Sequence, residues 1–373
     1  YTVDLAGRVV RVDDSGTAAT HGTVIYGYDA TGRLLEECHQ VTCDQPTDPF
    51  TRWTYEDAGR RVTETTPEGT TTYTHDTDGN LATAAGPEGT TTYTYDPAGR
   101  RIAEDGPDGP RVYAWDAAGR LAAVIDGAGV TTFGYDGDGT RTELSGPDGD
   151  VALTWDPNGT LAQPVAVALD DGTTVTDTTL AWASTGVPAW VEVDGALQVS
   201  HADQVWNPTA HTDHTGALTH TTTADPWGHD PSVSNVDPGA PDPALGFSAT
   251  IAAASSDGLV HMRARDYDPT TGEFLTPDPW QRPDGQPWIG VHTYADGNPI
   301  THWDPTGLKR ETPKDRNPDG TCKRSRSGGW TQCHVAEAGK SAWNWITGNA
   351  GQLLSDAVSC AQGAAVGSLY GTF

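Results

Sequence analysis

From Thr90 to Tyr95 the chain reads Thr-Thr-Thr-Tyr-Thr-Tyr, β-branched and aromatic residues with a period of two. That period predicts a strand with Tyr93 and Tyr95 on one face and Thr92 and Thr94 on the other. Asp96-Pro97-Ala98-Gly99 is turn chemistry: proline presets φ, glycine accepts a positive φ and aspartate bonds to nearby backbone. Residues 100–104 return as a strand, and Gly106-Pro107-Asp108-Gly109 turns again. Two strands of about 6 residues and two turns of about 4 fill such a unit. The product is a continuous antiparallel meander.

The unit repeats. An aromatic residue or His, an acid, two variable residues and Gly occur at Tyr55-Glu56…Gly59, His75-Asp76…Gly79 and Tyr95-Asp96…Gly99. They recur at Trp115-Asp116…Gly119, Tyr135-Asp136…Gly139 and Trp155-Asp156…Gly159, with a period of 20 residues and no slippage. A second beat lies between them at Pro67-Glu68-Gly69, Pro87-Glu88-Gly89, Pro107-Asp108-Gly109 and Pro147-Asp148-Gly149, with Gly127-Ala128-Gly129 in the remaining slot. Less regular copies flank this array. Asp4…Gly7-Arg8 and Tyr28-Asp29…Gly32-Arg33 precede it; Trp182…Gly186, Asp213…Gly216 and Asp225-Pro226-Trp227-Gly228 follow. Strands are expected throughout.

Composition sharpens this reading. Gly and Pro make up 70 of 373 residues, a level that without periodicity would suggest disorder. Here the glycines are periodic and 30 aromatic residues accompany them, which fits a turn-rich β structure. Up to Leu308 the chain has 14 Arg, no Lys and 46 acidic residues, a net charge of 14 − 46 = −32. From Lys309 onward, 8 basic residues face 5 acidic ones, a net of +3. A change of sign at one residue points to two units with different physical roles. The acidic part would repel phosphate, which argues against nucleic-acid binding, and its charge favours solubility of a large β surface. Cys38, Cys43, Cys322, Cys333 and Cys360 are sparse and lack zinc spacing; Cys38 and Cys43 either pair locally or stay as two thiols. No cofactor or metal is called for. The chain opens at Tyr1 within a repeat-like segment, without Met or a signal region, and reads as a slice of a longer protein.

The Tyr-Asp…Gly-Arg beat resembles the YD repeat of Rhs proteins, of the C components of insecticidal toxin complexes and of teneurins. The stretch from Asp257 through Arg263-Ala264-Arg265-Asp266-Tyr267-Asp268-Pro269 to Phe274-Leu275-Thr276-Pro277-Asp278-Pro279 is similar to the Rhs-associated core. Tyr294-Ala295-Asp296-Gly297-Asn298-Pro299 and the closing Asp304-Pro305-Thr306-Gly307-Leu308 complete that similarity. The resemblance covers residues 1–308 and implies an all-β fold, in which the meander is part of a β-sheet spiralled into a hollow cocoon. It divides the chain into a YD-repeat shell (1–256), a core (257–308) and the N-terminal part of a variable toxin region (309–373). The cocoon would hold its own C-terminal segment as cargo, with further shell and an N-terminal plug from the same protein and an immunity protein as partners. Secretion or a cell-surface location is likewise implied. This slice has fewer repeats than a closed shell uses, which would leave its first strand as an open edge.

The resemblance also implies self-cleavage after the Asp-Pro-x-Gly-Leu motif, between Leu308 and Lys309, as a single-turnover aspartyl autoprotease. Matched to that pattern, Asp278 and Asp304 are the two carboxylates and Arg265 the nearby cation. The chemistry is coherent. Two close carboxylates share one proton, so one can activate water while the other protonates the leaving amine. A fixed guanidinium favours the charged form and stabilises developing negative charge. Arg263, Arg265 and Arg282 are the only basic side chains between Thr142 and Leu308, and a lone cation in an acidic shell suits a placed charge. Competing readings remain. Asp-Pro also occurs at Asp48, Asp96, Asp156, Asp225, Asp237 and Asp268, as plain turns. Arg265 can serve as a structural ion pair, and Asp304 can attack its own bond to Pro305, which would leave a new N-terminus at Pro305. His261, His292 and His302 read as packing or surface residues. No Gly-x-Ser-x-Gly or His-Glu-x-x-His motif supports a serine or zinc hydrolase. The non-enzymatic alternative is a surface or adhesion YD protein with an inactive core.

After Leu308, residues 309–329 are basic and polar and read as a linker. Residues 341–346, with Trp343 and Trp345, are placed to open a helix. In residues 351–373 the one charged side chain is Asp356, and Gly363, Gly367 and Gly371 have a spacing that lets helices approach. A small-residue helix packing within a toxin domain is favoured there over membrane contact, because the apolar content is weak. The tail is expected to be mainly helical or disordered, and it carries no legible toxic activity.

Overall fold

The aspartate that opens each long turn explains why the meander keeps its register. In the computed structural model, Asp96 Oδ1 accepts the backbone N–H groups of Ala98 at 2.9 Å and Arg100 at 3.0 Å. The Gly99 N–H donates to the Asp96 carbonyl at 2.9 Å, and Gly99 has φ 77°, where a side chain would be strained. Arg100 Nε then closes on Asp96 Oδ2 at 2.7 Å. The same bonds recur at Asp4–Arg8, Asp29–Arg33 and Asp116–Arg120. Each arginine also covers the aromatic ring of the next repeat. Arg8, Arg33 and Arg120 lie 4.9, 5.0 and 4.5 Å from the ring centroids of Tyr28, Tyr55 and Tyr135. The other turn is tighter: Gly106 pairs directly with Gly109, leaving Pro107-Asp108 as a two-residue loop.

The structure describes residues 1–308 apart from 14–21, 41–42, 44–47, 157, 159–161, 184–187, 230, 253–257 and 280–289. Among them, 22 strands from Thr2–Val3 to Ser232–Asn235 form one sheet. The repeat strands pair antiparallel with their chain neighbours, as in the series Gly89–Tyr95, Arg101–Gly106, Gly109–Trp115 and Leu121–Ile125. A second sheet of three strands comprises Val260–Met262, Arg265–Asp268 and Glu273–Phe274. Cys38 and Cys43 form a disulfide, which settles the local pairing left open by the sequence. The chain divides into two compact units, residues 1–181 with 187–313 and residues 182–186 with 314–373. Lys309, the linker, the helix expected at 341–346 and the glycine-spaced segment 351–373 all lie outside the described residues. No helix among the described residues is long and apolar enough to cross a membrane.

A recurrent bulge sorts the side chains. Tyr95 pairs with Arg101 but Thr94 pairs with Ala103, so Ile102 is the extra residue. The same shift occurs at Tyr55/Arg61, His75/Leu81, Trp115/Leu121 and Tyr135/Arg141. The first residue of each returning strand is thereby buried: Arg61, Leu81, Arg101, Leu121 and Arg141, cation and leucine in alternation. The aromatic residue of the beat ties repeats together. Trp115 Nε1 donates to the Arg101 carbonyl at 2.8 Å, Tyr135 Oη to that of Leu121 at 2.7 Å and Trp155 Nε1 to that of Arg141 at 2.7 Å.

The hydrophobic core lies where the inner face of the sheet meets the segment after residue 246. Leu34, Trp53 and Trp227 pack there with Phe247, Met262, Tyr267, Phe274 and Tyr294. Tyr267 and Tyr294 have ring centroids 4.7 Å apart. Repeats distant in sequence converge on this segment. Asn298 Nδ2 donates to the Gly32 carbonyl at 2.8 Å, the Arg101 N–H to that of Leu275 at 2.8 Å and Gln204 Nε2 to that of Ile300 at 2.8 Å. The sheet therefore curves around residues 260–279 and 290–308.

Candidate functional site

The hairpin at residues 260–268 builds the site. Met262 pairs with Arg265, so Arg263 and Ala264 form its tip, with Arg263 at φ 58°. The two tip residues and Arg265 after them hold three successive carbonyls near the end of the core. Arg263 Nη1 donates to the Pro305 carbonyl, the Ala264 N–H to the Thr306 carbonyl at 3.2 Å, and Arg265 Nε to the Gly307 carbonyl. Arg265 Nη2 also lies 3.4 Å from Asp304 Oδ2. Its guanidinium stacks 3.6 Å from the Phe274 ring centroid. Arg265 and Asp304 are both buried, 5% and 3% exposed, so their attraction is little screened by solvent.

The segment 304–308 is a repeat turn in another setting. The Gly307 N–H donates to the Asp304 carbonyl at 3.3 Å and the Leu308 N–H to Asp304 Oδ1 at 3.1 Å, as Gly99 and Arg100 do to Asp96. Trp303 supplies the aromatic residue of the beat and is buried. Thr306 Oγ1 donates to Asp304 Oδ1 at 3.0 Å, as the Thr31 and Thr215 hydroxyls do to Asp29 and Asp213. Leu308 stands where the turns at Asp4, Asp29, Asp96 and Asp116 carry arginine, and the cation reaches Oδ2 from another strand, at 3.4 Å against 2.7 Å for Arg100 on Asp96. Gly307 has φ 67°, and a Cβ there would lie 2.4 Å from the Met262 carbonyl oxygen. Close backbone approach thus requires glycine at this position.

Of the expected site residues, the structure brings Arg265, Asp304 and Leu308 together. Asp278 is half-buried, and its N–H donates to the Val291 carbonyl at 2.9 Å. Lys309, on the far side of the expected scissile bond, lies outside the described residues. Among the described residues no group of three or more His, Cys, Asp or Glu side chains is arranged to hold a metal ion.

The expectation of a lone cation needs correction: the core receives arginines from the repeats. Arg101 Nη1 is 2.7 Å from Asp268 Oδ2, and Arg141 Nη2 is 2.9 Å from Asp266 Oδ1. His261 Nδ1 lies 3.2 Å from the same Asp266 oxygen, so this histidine belongs to the buried ion network. Burial raises the Asp266 carboxyl, but Arg141 and His261 outweigh it and hold the group below its usual range. Asp268 behaves likewise under Arg101 and Thr271. Burial pushes Glu273 up to about 7 and His261 down to about 4. Sequence reasoning missed these residues. The one signal was the spacing of Arg61, Arg101 and Arg141, 40 residues apart and so two repeats.

Comparison with known proteins agrees with this architecture. The family model RHS Repeat matches residues 75–111 and 115–151. The chain carries RHS repeats. It is similar to a crystal structure of TcdB2-TccC3, with a TM-score of 0.54 and 16% identity over 83% of this chain and 18% of that one. It is also similar to the Photorhabdus luminescens Tc holotoxin pore bearing a mutation in TccC3, with a TM-score of 0.52 and 17% identity over 83% of this chain and 18% of that one. At such identities the likeness is one of fold. The chain spans about a fifth of the length of these structures. No curated protein matches it.

Proposed function

We propose that this chain is part of a toxin-encapsulating Rhs shell that cuts itself between Leu308 and Lys309 to free its C-terminal segment. The observation that carries this reading is the hold of residues 263–265 on the carbonyls of Pro305, Thr306 and Gly307. A peptide gripped on three consecutive carbonyls presents its next bond in a fixed orientation, which is where proximity gives the largest gain. Asp304 is one carboxylate of the acid–base pair, Asp278 the other, and Arg265 the cation that stabilises negative charge developing in the step. A water oxygen adds to the Leu308 carbonyl carbon while one carboxylate accepts a water proton. The bond to the Lys309 nitrogen then breaks, and the other carboxyl gives that nitrogen its proton. The products are a Leu308 carboxylate and a Lys309 amine.

On this reading the cargo is the segment after Leu308, enclosed by this sheet together with further shell and an N-terminal plug of the same protein. The toxin-complex setting of the similar structures supports a secreted assembly in competition between cells, with an immunity protein protecting the producer. Cell-free synthesis of the parent, Asp278→Asn and Asp304→Asn chains, followed by intact mass and N-terminal sequencing, tests the reading. A fragment starting at Lys309 in the parent and absent from both variants is expected. A fragment starting at Pro305 would replace the dyad with cyclisation by Asp304. An uncut parent would overturn self-cleavage and leave a binding or adhesion shell.

A further inference from the structure

The strand Arg265–Asp268 has two faces with different attachments. Alternation puts Arg265 and Tyr267 on one face and Asp266 and Asp268 on the other. The first face serves the cleavage turn, through Arg265 on Gly307 and Asp304. The second face is held by the shell, through Arg141 on Asp266 at 2.9 Å and Arg101 on Asp268 at 2.7 Å. All four of these side chains are buried, and Arg101 and Arg141 are 0% and 1% exposed.

The spacing of the two arginines gives this arrangement a consequence. Arg101 opens the strand Arg101–Gly106 and Arg141 opens Arg141–Gly146, with three strands between them. In a flat sheet four strand spacings amount to about 19 Å, whereas alternate residues of one strand are about 7 Å apart. The two guanidinium groups therefore converge, which a sheet curved inward around the core permits. Asp266 is further fixed by His261, and Asp268 by Thr271 Oγ1 at 2.8 Å. The next arginine in the series, Arg61, contacts Gly272 and stacks 4.3 Å from the Trp227 ring centroid.

We infer that Arg101 and Arg141 are positioning residues for self-cleavage: by clamping Asp268 and Asp266 they tie the seat of Arg265 on Gly307 to the curvature of the repeat sheet. Cutting then follows wrapping of the shell, and the cargo is released only inside it. This rests on the self-cleavage proposed above.

The test follows the cut fraction against time after cell-free synthesis of the whole chain. Parent, Arg101→Ala, Arg141→Ala and, as a turn-arginine control, Arg120→Ala are compared, with folding checked by tryptophan fluorescence and limited proteolysis. Each clamp variant is expected to cut at Lys309 but roughly 10- to 100-fold more slowly, the loss typical of a displaced reacting group. Arg120→Ala is expected to match the parent. Added methylguanidinium should restore part of the Arg141→Ala rate, which a purely structural role would not do. Folded alanine variants that cut at the parent rate overturn the inference while leaving self-cleavage standing. An uncut parent overturns both. Should the alanine variants not fold, Arg101→Lys and Arg141→Lys decide: slower cutting supports the clamp, and parent rates overturn it.

Discussion

Arg101 and Asp268, 167 residues apart in the chain, meet at 2.7 Å in the buried space between the repeat sheet and the core. Neither group is stable there alone, because an unpaired buried charge is costly. Arg101→Met is therefore expected to destabilise the fold by about 3–5 kcal/mol, the usual loss when one partner of a buried pair is removed. Asp268→Asn should act in the same direction. The double variant Arg101→Met/Asp268→Leu should cost clearly less than the sum of its parts. Denaturant titrations of the four chains close the cycle. Additive losses would mean that the pair is not the unit of interaction.

Gly307→Ala tests whether the turn at residues 304–308 depends on close backbone approach. The φ of 67° alone costs a non-glycine residue on the order of 1–3 kcal/mol. The added Cβ would also meet the Met262 carbonyl oxygen at 2.4 Å. The expected result is local: hydrogen exchange at the Ala264 and Leu308 amides accelerates while the repeat strands keep their protection. Unchanged exchange at both amides would show that the turn accommodates the methyl group.

The period, the turn chemistry and the antiparallel meander were legible in the sequence because each is decided within a few residues. Asp96, Gly99 and Arg100 form their turn from neighbours, and so do Asp4, Gly7 and Arg8. The burial of Arg101 was not legible. It adjoins Arg100 and has the same chemistry, yet a bulge sends it inward to an aspartate far along the chain. The likeness of Trp303-Asp304…Gly307 to a repeat turn was present in the residues but hidden by Leu308, where the turns at Asp29, Asp96 and Asp116 have arginine. The meeting of Arg265 with Asp304 was expected from family resemblance, and spacing alone would not have given it. His261 read as packing because its partners, Asp266 and Arg141, come together only in the fold.

Glu273 gives the fold a predictable pH dependence. Burial lifts its carboxyl to about 7 against the opposing pull of Arg101 and Arg61, from an ordinary value of 4.5. Between those two values the unfolded chain loses the proton and the folded chain keeps it. This contribution to stability is therefore complete below about pH 4.5, falls as pH rises to about 7 and is flat above. Its full size is on the order of 3 kcal/mol. His75, 4.0 Å away, is held neutral mainly by burial and runs the opposite way, so the parent curve sums both. The clean measurement is the difference between Glu273→Gln and parent in urea titrations at several pH values. It should shift in favour of the variant between about pH 4.5 and 7 and stay level outside that window. A pH-independent difference would mean that Glu273 ionises in the folded state as it does in the unfolded chain.

Leu308→Arg gives the turn at residues 304–308 the arginine of the most regular repeat turns and so tests what makes this one special. In those turns the residue after glycine closes on its own aspartate, as Arg100 Nε does on Asp96 Oδ2 at 2.7 Å. An arginine at 308 would offer Asp304 Oδ2 the same local partner and compete with Arg265, now at 3.4 Å. Pairing with a local arginine would draw the carboxylate away from Arg265 and from the position that the proposed step needs. The expected outcome is a chain at least as stable as the parent in which self-cleavage is slowed or lost. Leu308→Met, which keeps size and apolarity, should cut at nearly the parent rate. If Leu308→Arg cuts as fast as the parent, neither the residue at 308 nor the pairing of Asp304 with Arg265 has a part in the chemistry.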